Sequence, residues 1–435
     1  MTERRIQTIE HVVTWRLCMG CGACASVCSQ QAISLFDIPS QGIRPQVDHQ
    51  KCAECSECLK VCPGISLSRE KPTGLTVVEL DKAWGPVLEV WEGYASDPEI
   101  RFRASSGGAA TALALFCLES TMAYEVLHTA DGSPESPLEN VPTTSCTRQE
   151  LLDCTGSRYS PAAPCAKLDR IKESAGACVF IGKPCDVAAL RKSQQFDDAL
   201  NDKVCLTIAI FCAGTPTSDG TNALLDAMGV EPQEVEYLRY RGCGWPGMTV
   251  AKLKDRDDET PRMTYEQSWG QILSKHGQLR CRLCPDGTGE LSDISCGDPW
   301  YRDCDRNDPG RSLVLVRTER GRDILREAMI ADYLRLERVS PQALPASQQA
   351  LLNRRRHLWG RLAVMRTMQI PTPVYRGFDL FANWLDLSLS EKLRSLMGTV
   401  RRIVSRRLYR PCDPFSEKSG PILRRECNMG RTVKV

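Results

Sequence analysis

The sequence has few aromatic residues, almost no net charge and no long hydrophobic run. Phe, Trp and Tyr make up 6% of the 435 residues, which argues against a surface that stacks nucleic-acid bases. Lys and Arg number 56 and Asp and Glu 54, so the overall charge does not favour nucleic-acid binding either. No stretch reaches the roughly eighteen consecutive apolar residues of a transmembrane helix. We therefore expect neither a nucleic-acid-binding protein nor a membrane-spanning one.

The beginning of the chain also lacks the features of a secretory signal. Its first residues, MTERRIQTIEHVVTW, contain neither an apolar core nor a small-residue cleavage site. The 23 cysteines would suggest disulfides in a secreted protein, but without an export signal they indicate metal or redox chemistry. We expect a cytoplasmic protein.

Eight of these cysteines form two copies of one spacing near the start of the chain. The copies read Cys18-x-x-Cys21-x-x-Cys24-x-x-x-Cys28 and Cys52-x-x-Cys55-x-x-Cys58-x-x-x-Cys62-Pro63. In this spacing three thiolates bind one cubane [4Fe–4S] cluster and the fourth binds the other cluster. We predict one cluster on Cys18, Cys21, Cys24 and Cys62, and a second on Cys52, Cys55, Cys58 and Cys28. Zinc sites and disulfides are the alternatives, and two complete copies argue against both.

The remaining pattern predicts a mixed α/β and α+β multidomain fold. A ferredoxin-like α+β module is expected over residues 1–75, with short strands at 32–37 and 43–48 and a linker at 72–74. An α/β domain is expected over 76–345, because apolar strand runs alternate with helical stretches. The predicted strands are 177–181, 205–211 and 313–316, the predicted helices 109–118, 186–192 and 322–330, and the predicted loop 131–150.

One predicted helix begins with features that suit an anion. Ser105 and Ser106 are good N-caps, and Gly107-Gly108 would let the backbone approach a ligand closely. With Arg101 and Arg103 nearby, free N–H groups at this helix start could bind phosphate. A capped helix in the core is the alternative.

Four further cysteines form a candidate third cluster site. Cys185 and Cys212 each follow a predicted strand, and Cys281-x-x-Cys284 supplies two more thiolates. Taken alone, the latter pair could also be a redox dithiol or half of a zinc site. The substitutes considered for this set are Cys243 and Cys296. The cysteines expected to take no part are Cys117, Cys146, Cys154, Cys165, Cys178, Cys205, Cys304, Cys412 and Cys427.

Five separated motifs resemble the coenzyme F420 hydrogenase/dehydrogenase beta-subunit family. They are SSGGAATAL, GKPCDVAALRK, RYRGCGWPG, RCRLCPDGTGELSDISCGDPW and SLVLVRTERG, and the resemblance covers roughly residues 10–340. It implies a flavin-binding α/β domain in which FAD lies between a hydride carrier and an iron–sulfur chain. Members differ in substrate, and one, a chlorophyll-side-chain reductase, does not use F420.

The resemblance also implies which residues surround the flavin. They are Ser105, Ser106, Gly107, Gly108, Thr111, Ser157, Tyr159, Lys183, Asp286, Gly297 and Asp298. Lys183 would stabilise the reduced ring or steer an acidic substrate, and a solvated loop lysine is the alternative. No side chain is expected to act as a catalytic nucleophile, because the cofactors carry the chemistry.

These observations predict an iron–sulfur flavoprotein oxidoreductase that passes electrons between a hydride carrier such as F420, FAD and [4Fe–4S] clusters. The expected partner is a redox protein, either a ferredoxin or a catalytic subunit. One alternative is a ferredoxin-dependent reductase of an organic substrate that does not use F420. Another is a non-catalytic electron-transfer subunit of a larger complex.

Residues 346–435 are predicted to form a basic, helical C-terminal extension. Residues 391–435 hold twelve Lys and Arg against four Asp and Glu. Apolar residues from Leu389 to Leu408 recur at helical spacing among arginines. Such a helix could contact an anionic membrane surface or an acidic partner. A helix docked on the protein with a solvated charged face is the favoured alternative.

Overall fold

The computed structural model of the protein describes residues 6–70, 75–254, 256, 260–303, 308–415 and 425–426. Its N-terminal module contains two short strands, a third strand and three short helices. These elements are α1 (Ile9–Thr14), α2 (Ala23–Ser26), β1 (Ile33–Ile38), β2 (Gly42–Val47), α3 (Glu57–Lys60) and β3 (Ser66–Ser68). The predicted linker at 72–74 lies outside the described residues.

The strands of the rest of the chain form an eight-stranded sheet and a three-stranded sheet, and the last two strands pair with strands of the N-terminal module. They are β4 (Glu89–Ala95), β5 (Glu125–Asp131), β6 (Asn140–Ser145), β7 (Cys178–Gly182), β8 (Val204–Ile210), β9 (Val235–Arg239), β10 (Thr249–Leu253), β11 (Arg262–Met263), β12 (Ile294–Gly297), β13 (Ser312–Val316), β14 (Leu334–Arg338), β15 (Val374–Arg376) and β16 (Arg425–Glu426).

The helices that accompany these strands are mostly short. They are α4 (Val78–Trp84), α5 (Pro98–Arg103), α6 (Ala109–Glu119), α7 (Arg148–Asp153), α8 (Leu168–Glu173), α9 (Pro184–Gln194), α10 (Asp198–Lys203), α11 (Ser218–Met228), α12 (Glu319–Ile330), α13 (Ala343–Ser347), α14 (Gln349–Thr367), α15 (Leu380–Leu385) and α16 (Leu389–Ser405). A π-helix covers Glu266–Ile272, and 3-10 turns cover Pro164–Lys167, Pro232–Glu234, Leu273–His276 and Leu279–Leu283.

An eight-stranded mixed sheet forms the centre of the molecule. Its strand order is β14-β4-β13-β12-β8-β7-β5-β6, and β12, β8, β7 and β5 run parallel to one another. Every residue of β13 and all but Ile181 of β7 are buried, as expected of strands covered on both faces. The predictions of strands at 177–181, 205–211 and 313–316 are therefore confirmed.

The helix predicted at 109–118 is α6, and the core covers almost all of it. Seven of its eleven residues are buried, among them Leu113, Leu115 and Phe116. The helix begins after Gly108, whose φ of 78° lies in the left-handed region that glycine adopts without strain. The loop predicted at 131–150 is wrong in part, because β6 pairs with β5 there and α7 begins at Arg148. Pro142 and the polar residues around it weakened the strand signal of β6 in the sequence.

The N-terminal module is joined to the central sheet by direct backbone contacts. The amide of Cys165 donates a hydrogen bond of 3.0 Å to the carbonyl oxygen of Cys21. A Cβ on Gly22 would lie 2.7 Å from the amide nitrogen of Ala166, so only glycine permits this approach. Strand β3 pairs in parallel with β15, which comes from the C-terminal extension. The first cysteine run is thus held against the 3-10 turn Pro164–Lys167, and the end of the module is held by the C-terminal extension.

The described helices do not include one that is long and apolar enough to cross a membrane.

Candidate redox site

The four cysteines predicted to hold the first cluster line one small cavity. Cys18, Cys21, Cys24 and Cys62 are all buried and border this cavity together with Gly20 and Gly64. The amide of Gly20 donates a hydrogen bond of 3.3 Å to Cys18 Sγ. A Cβ on Gly64 would lie 3.2 Å from Cys62 Sγ and 2.7 Å from the carbonyl oxygen of Leu17. The donor set, the amide–sulfur bond and the glycine cradle fit a cubane cluster.

The electrostatics of these thiols favour a bound cation. Burial and, after it, the neighbouring Cys18 thiol raise the pKa of Cys62 to about 12, whereas Lys192 and Arg280 oppose the shift. Burial also raises the pKa of Cys24, with Cys18, Cys21 and Cys62 adding to the effect. Four thiolates can coexist here only when positive charge compensates for their burial and mutual repulsion, which metal binding provides.

The cysteines predicted for the second cluster are also neighbours, but they lie closer to solvent. Burial raises the pKa of Cys58, and the nearby Cys55, Cys52 and Cys28 thiols raise it further. The amide of Ala32 donates a hydrogen bond of 3.3 Å to Cys28 Sγ. Cys55 is exposed and none of the four is fully buried, so this set lies at the protein surface.

The structure also brings together the four cysteines of the candidate third site. Burial raises the pKa of Cys212 to about 12, with Cys281 and Cys284 as contributing neighbours. Cys212 and Cys284 are in turn among the groups that raise the pKa of Cys185. The amide of Thr215 donates a hydrogen bond of 3.4 Å to Cys281 Sγ. These four thiols therefore lie close together and include an amide–sulfur bond of the kind seen in the first two sets.

The two substitute cysteines do not join this group. Burial alone raises the pKa of Cys296 to about 12, and no other thiol contributes to that shift. Cys243 Sγ instead accepts a hydrogen bond of 2.9 Å from Arg239. Of the cysteines expected to take no part, Cys304 and Cys427 lie outside the described residues.

In the described ranges, no three His, Cys, Asp or Glu side chains are grouped as ligands of a single metal ion. A cubane cluster differs from a single ion because each thiolate binds a different iron atom.

A cavity of about 310 Å³ lies beside the parallel part of the sheet. Its lining includes nine of the eleven residues predicted to surround a flavin: Ser105, Ser106, Gly108, Thr111, Ser157, Tyr159, Lys183, Gly297 and Asp298. Its volume is at the lower end of the range of about 300–1,000 Å³ for small-molecule pockets. Cys212 of the third cysteine set also lines this cavity.

The other two predicted residues, Gly107 and Asp286, do not line the cavity. A Cβ on Gly107 would lie 2.5 Å from the carbonyl oxygen of Gly93, so this glycine permits close packing against β4. The buried carboxylate of Asp286 accepts hydrogen bonds from the amides of Thr288, Gly289 and Glu290. Asp286 therefore fixes the conformation of the loop that follows Cys284, and it does not contact the cavity itself.

The N-terminus of α6 opens into the cavity, as the Ser/Gly motif predicts. Gly108, Ala109, Ala110 and Thr111 line the cavity at the helix end where N–H groups have no intrahelical partner. Of these amides, that of Ala109 donates a hydrogen bond of 3.4 Å to Ser312 Oγ. Ser105 Oγ accepts a hydrogen bond of 2.5 Å from the amide of Ser157, which joins two parts of the wall.

The arginines expected to support an anion at this helix are used elsewhere. Arg101 donates hydrogen bonds of 2.9 Å to Asp308 and to the carbonyl oxygen of Gly310. Arg103 forms ion pairs with Glu99 and Asp153. Neither side chain lines the cavity, because both extend from α5 toward acidic side chains elsewhere.

Lys183 is a partly buried ion-pair residue rather than a solvated loop lysine. Its Nζ lies 2.7 Å from the fully buried carboxylate of Asp186. Burial opposes the charged state, but attraction to Asp186 and then Cys185 outweighs it and raises the pKa of Lys183 well above its usual range. Lys183 therefore places a fixed positive charge between the cavity and the third cysteine set.

Sequence reasoning missed a second cation in the cavity wall, Arg241. Arg241 is buried, and its guanidinium donates bonds of 2.9 and 2.5 Å to the two carboxylate oxygens of Asp298. The guanidinium lies 5.0 Å from the ring centre of Tyr265 and 5.1 Å from that of Trp300. All four residues line the cavity. The RYRGCGWPG motif carries this arginine, but only the fold shows that it faces Asp298.

Comparison with known proteins shows which class of protein this chain belongs to, and then which family. A model described as "4Fe-4S dicluster domain" matches residues 17–64, which together with the buried cysteine sets defines an iron–sulfur redox protein. The N-terminal model of "Coenzyme F420 hydrogenase/dehydrogenase, beta subunit" matches residues 90–168, and the C-terminal model matches 176–342. The chain belongs to this family, so the resemblance read from its motifs is confirmed.

Named relatives agree with this assignment. The chain is 26% identical to the coenzyme F420 hydrogenase subunit beta of Methanococcus voltae, over 64% of this chain and 95% of that protein. It is 23% identical to the F420-dependent formate dehydrogenase subunit beta of Methanocaldococcus jannaschii, over 59% of this chain and 63% of that protein.

A solved structure has the same fold. It is a chain of the F420-reducing [NiFe] hydrogenase complex from Methanosarcina barkeri, with a TM-score of 0.52 and 21% identity. The match covers 68% of this chain and 97% of that chain.

Proposed function

We propose that the protein is a cytoplasmic iron–sulfur flavoprotein oxidoreductase that passes electrons between a hydride carrier of the coenzyme F420 type, FAD and three [4Fe–4S] clusters. The observation that carries the proposal is the position of Cys212. This residue lines the large cavity and is also a neighbour of Cys281 and Cys284. A cofactor in the cavity would therefore lie beside the third cluster site.

The cavity residues fit a flavin in charge and in shape. The free N–H groups of α6 and the left-handed backbone at Gly108 suit a phosphate, and the rings of Tyr159, Tyr265 and Trp300 suit a planar ring system. Bound FAD would accept a pair of electrons as hydride and release them singly, as one-electron clusters require.

The side chains of the chain itself would position the cofactor and set its electrostatic environment. Lys183 keeps its positive charge because Asp186 compensates for burial, so it can stabilise negative charge in the cavity. Arg241 is likewise paired with a carboxylate, that of Asp298, and it also fixes the aromatic wall through Tyr265 and Trp300.

The second cysteine set is the proposed exit or entry point for a protein partner. The first set is buried, whereas Cys55 of the second set is exposed. Relatives named as beta subunits support a catalytic subunit as this partner. A ferredoxin partner would dock beside the same second cysteine set.

The proposal is tested by anaerobic purification followed by iron, sulfide and flavin analysis. We expect about twelve irons, because each cubane holds four, and about one FAD per chain. Clusters without flavin would overturn the proposal and support a non-catalytic electron-transfer subunit. About eight irons would remove the third cluster.

Electron donors then separate the remaining alternatives. Reduced F420 is expected to bleach the visible absorbance of the clusters in the flavin-loaded protein. Reduction by reduced ferredoxin alone, with no response to reduced F420, would overturn the assignment of the hydride carrier. It would support a ferredoxin-dependent reductase of an organic substrate.

A further inference from the structure

Helix α16 turns its apolar side to solvent. Leu389 is 74% exposed and Met397 is 70% exposed, and Leu393, Val400 and Val404 are also exposed. These five residues follow one another at helical spacing and form a single stripe. In a surface helix of a globular protein such a stripe normally faces the core.

The side of α16 that does face the protein is made of small and polar residues. Its buried residues are Ser395, Thr399 and Ile403. The hydroxyl of Ser395 donates a hydrogen bond of 3.3 Å to the carbonyl oxygen of His357 in α14. A Cβ on Gly360 would lie 3.3 Å from Ser395 Oγ, so the two helices approach closely there. The helix is docked, as the sequence predicts, but its apolar stripe is left uncovered by the described residues.

The exposed apolar stripe continues onto the preceding helix. Phe381 and Leu385 of α15 are each about half exposed. The Phe381 ring packs 4.9 Å from that of Trp359, which in turn lies 4.6 Å from that of Trp384. Of the seventeen exposed large hydrophobic side chains among the described residues, seven lie between Phe381 and Val404. We call these seven residues the α15–α16 stripe.

Positive charge surrounds this stripe. Residues 391–410 contain seven Lys and Arg but only one Asp or Glu. Arg394 and Arg401 are exposed and lie along the helix edge beside the stripe. Arg402, Arg406 and Arg407 are exposed in the same segment. Like charges are therefore crowded here, which favours an anionic occupant.

We propose that the α15–α16 stripe docks on the surface of an anionic phospholipid bilayer, with α16 lying in the plane of the interface. Aliphatic side chains would enter the boundary of the acyl chains while arginines contact lipid phosphates. Aromatic rings at one end suit the same interfacial region. An exposed amphipathic helix with predominantly positive charge fits this extended anionic surface better than it fits a protein groove. The proposal is independent of the cofactor chemistry.

The test uses the full-length protein, purified anaerobically, and sedimentation with vesicles. Phosphatidylcholine vesicles are compared with vesicles that also contain phosphatidylglycerol. We expect binding to the second kind only, and weaker binding at high salt because surface charges are screened. The double variant Leu393→Gln/Met397→Gln is expected to lose at least about tenfold in vesicle affinity. Arg394→Gln and Arg401→Gln should each lose roughly fivefold.

A matched control separates this stripe from exposed apolar residues in general. Phe196 and Ile330 are as exposed as the stripe residues but lie elsewhere. The variant Phe196→Gln/Ile330→Gln should bind vesicles like the wild type. Cluster absorbance of each variant reports that the protein is folded.

Three outcomes would overturn the proposal. The first is a wild-type protein that does not sediment with the anionic vesicles, or a Leu393→Gln/Met397→Gln variant that binds them equally well. The second is self-association that this variant abolishes while no vesicle binding occurs, which would make a second copy the occupant. The third is loss of binding in a chain that ends at residue 415, which would assign the lipid contact to the residues beyond it.

Discussion

The guanidinium of Arg280 donates a hydrogen bond of 3.1 Å to the carbonyl oxygen of Pro63. It donates a second bond of 3.1 Å to the carbonyl oxygen of Leu283. One fully buried side chain therefore joins the loop after Cys62, in the first cysteine set, to the Cys281–Cys284 loop of the third set. Its charge acts on both sets, because it opposes the raised pKa of Cys62 and of Cys284.

Replacement of Arg280 should change the reduction potentials of two clusters together. A positive charge stabilises a reduced cluster, so Arg280→Met is expected to lower both potentials by on the order of tens of millivolts. Arg280→Lys keeps the charge but not the paired carbonyl bonds, so its shift should be smaller. Redox titration followed by electron paramagnetic resonance measures each cluster. Unchanged potentials in Arg280→Met would contradict this role.

Two cysteines that line the same cavity are expected to respond differently to removal. Cys212→Ala should lose about four irons per chain, because it removes a ligand of the third cluster. Cys296→Ala should keep its full iron content, since no other thiol contributes to the raised pKa of Cys296. Iron analysis of the two purified variants measures this difference, and circular dichroism is the control for folding. Equal iron in the two variants would argue against the third cluster site.

The ion pair between Arg241 and Asp298 should be important for stability. Asp298 also accepts a hydrogen bond of 2.8 Å from the indole of Trp245. Asp298→Asn would leave the buried guanidinium without a compensating charge, which typically costs about 3–5 kcal/mol. We expect a lower thermal midpoint by roughly 3–5 °C for a chain of this length. The exposed pair of Glu319 and Arg322 supplies the control. Glu319→Gln should cost less than about 1 kcal/mol, and an equal loss in both variants would contradict the prediction.

His128 should make the protein sensitive to mild acid. Burial disfavours the imidazolium and lowers the pKa of His128 to about 4. Because the ordinary pKa is about 6.5, the unfolded chain binds the proton more tightly, and stability is lost as the pH falls from about 6.5 toward 4. The expected loss between about pH 7.5 and pH 5 is about 2 kcal/mol, or about 2 °C in thermal midpoint.

The variant His128→Asn isolates this contribution, because all other groups titrate as in the wild type. It will lose the hydrogen bond of 2.8 Å between the imidazole and Ser145, so its stability near neutral pH should be lower. Its further loss on acidification should be smaller than that of the wild type. Thermal midpoints measured at both pH values give the difference, and parallel losses would refute the assignment.

The regular elements near the site follow from local sequence. The strands β7, β8 and β13 consist mostly of apolar residues, and α6 follows a Ser-Ser-Gly-Gly start, so all four elements were predictable from neighbouring positions. Strand β6 was missed because Pro142 and polar residues interrupt its alternation.

The candidate site was predictable only where its geometry is local. The two complete cysteine runs identify the ligands of two [4Fe–4S] clusters from the sequence alone, because three ligands of each cluster lie within one short loop. The roles of Gly107 and Asp286 were not readable in this way. Their contacts with Gly93 and with the amides of 288–290 depend on how the surrounding segments fold.

The sequence by itself determined the ligand spacing of the two N-terminal clusters, the membership of a family and the amphipathic character of α16. Only the tertiary structure decided that Arg280 joins two cysteine sets, that Arg241 faces Asp298 and that the apolar side of α16 points to solvent. The physical reason is the same for all three. Periodicity and spacing fix which residues share a loop or a helix face, whereas the partner of that face is set by packing between segments far apart in the chain.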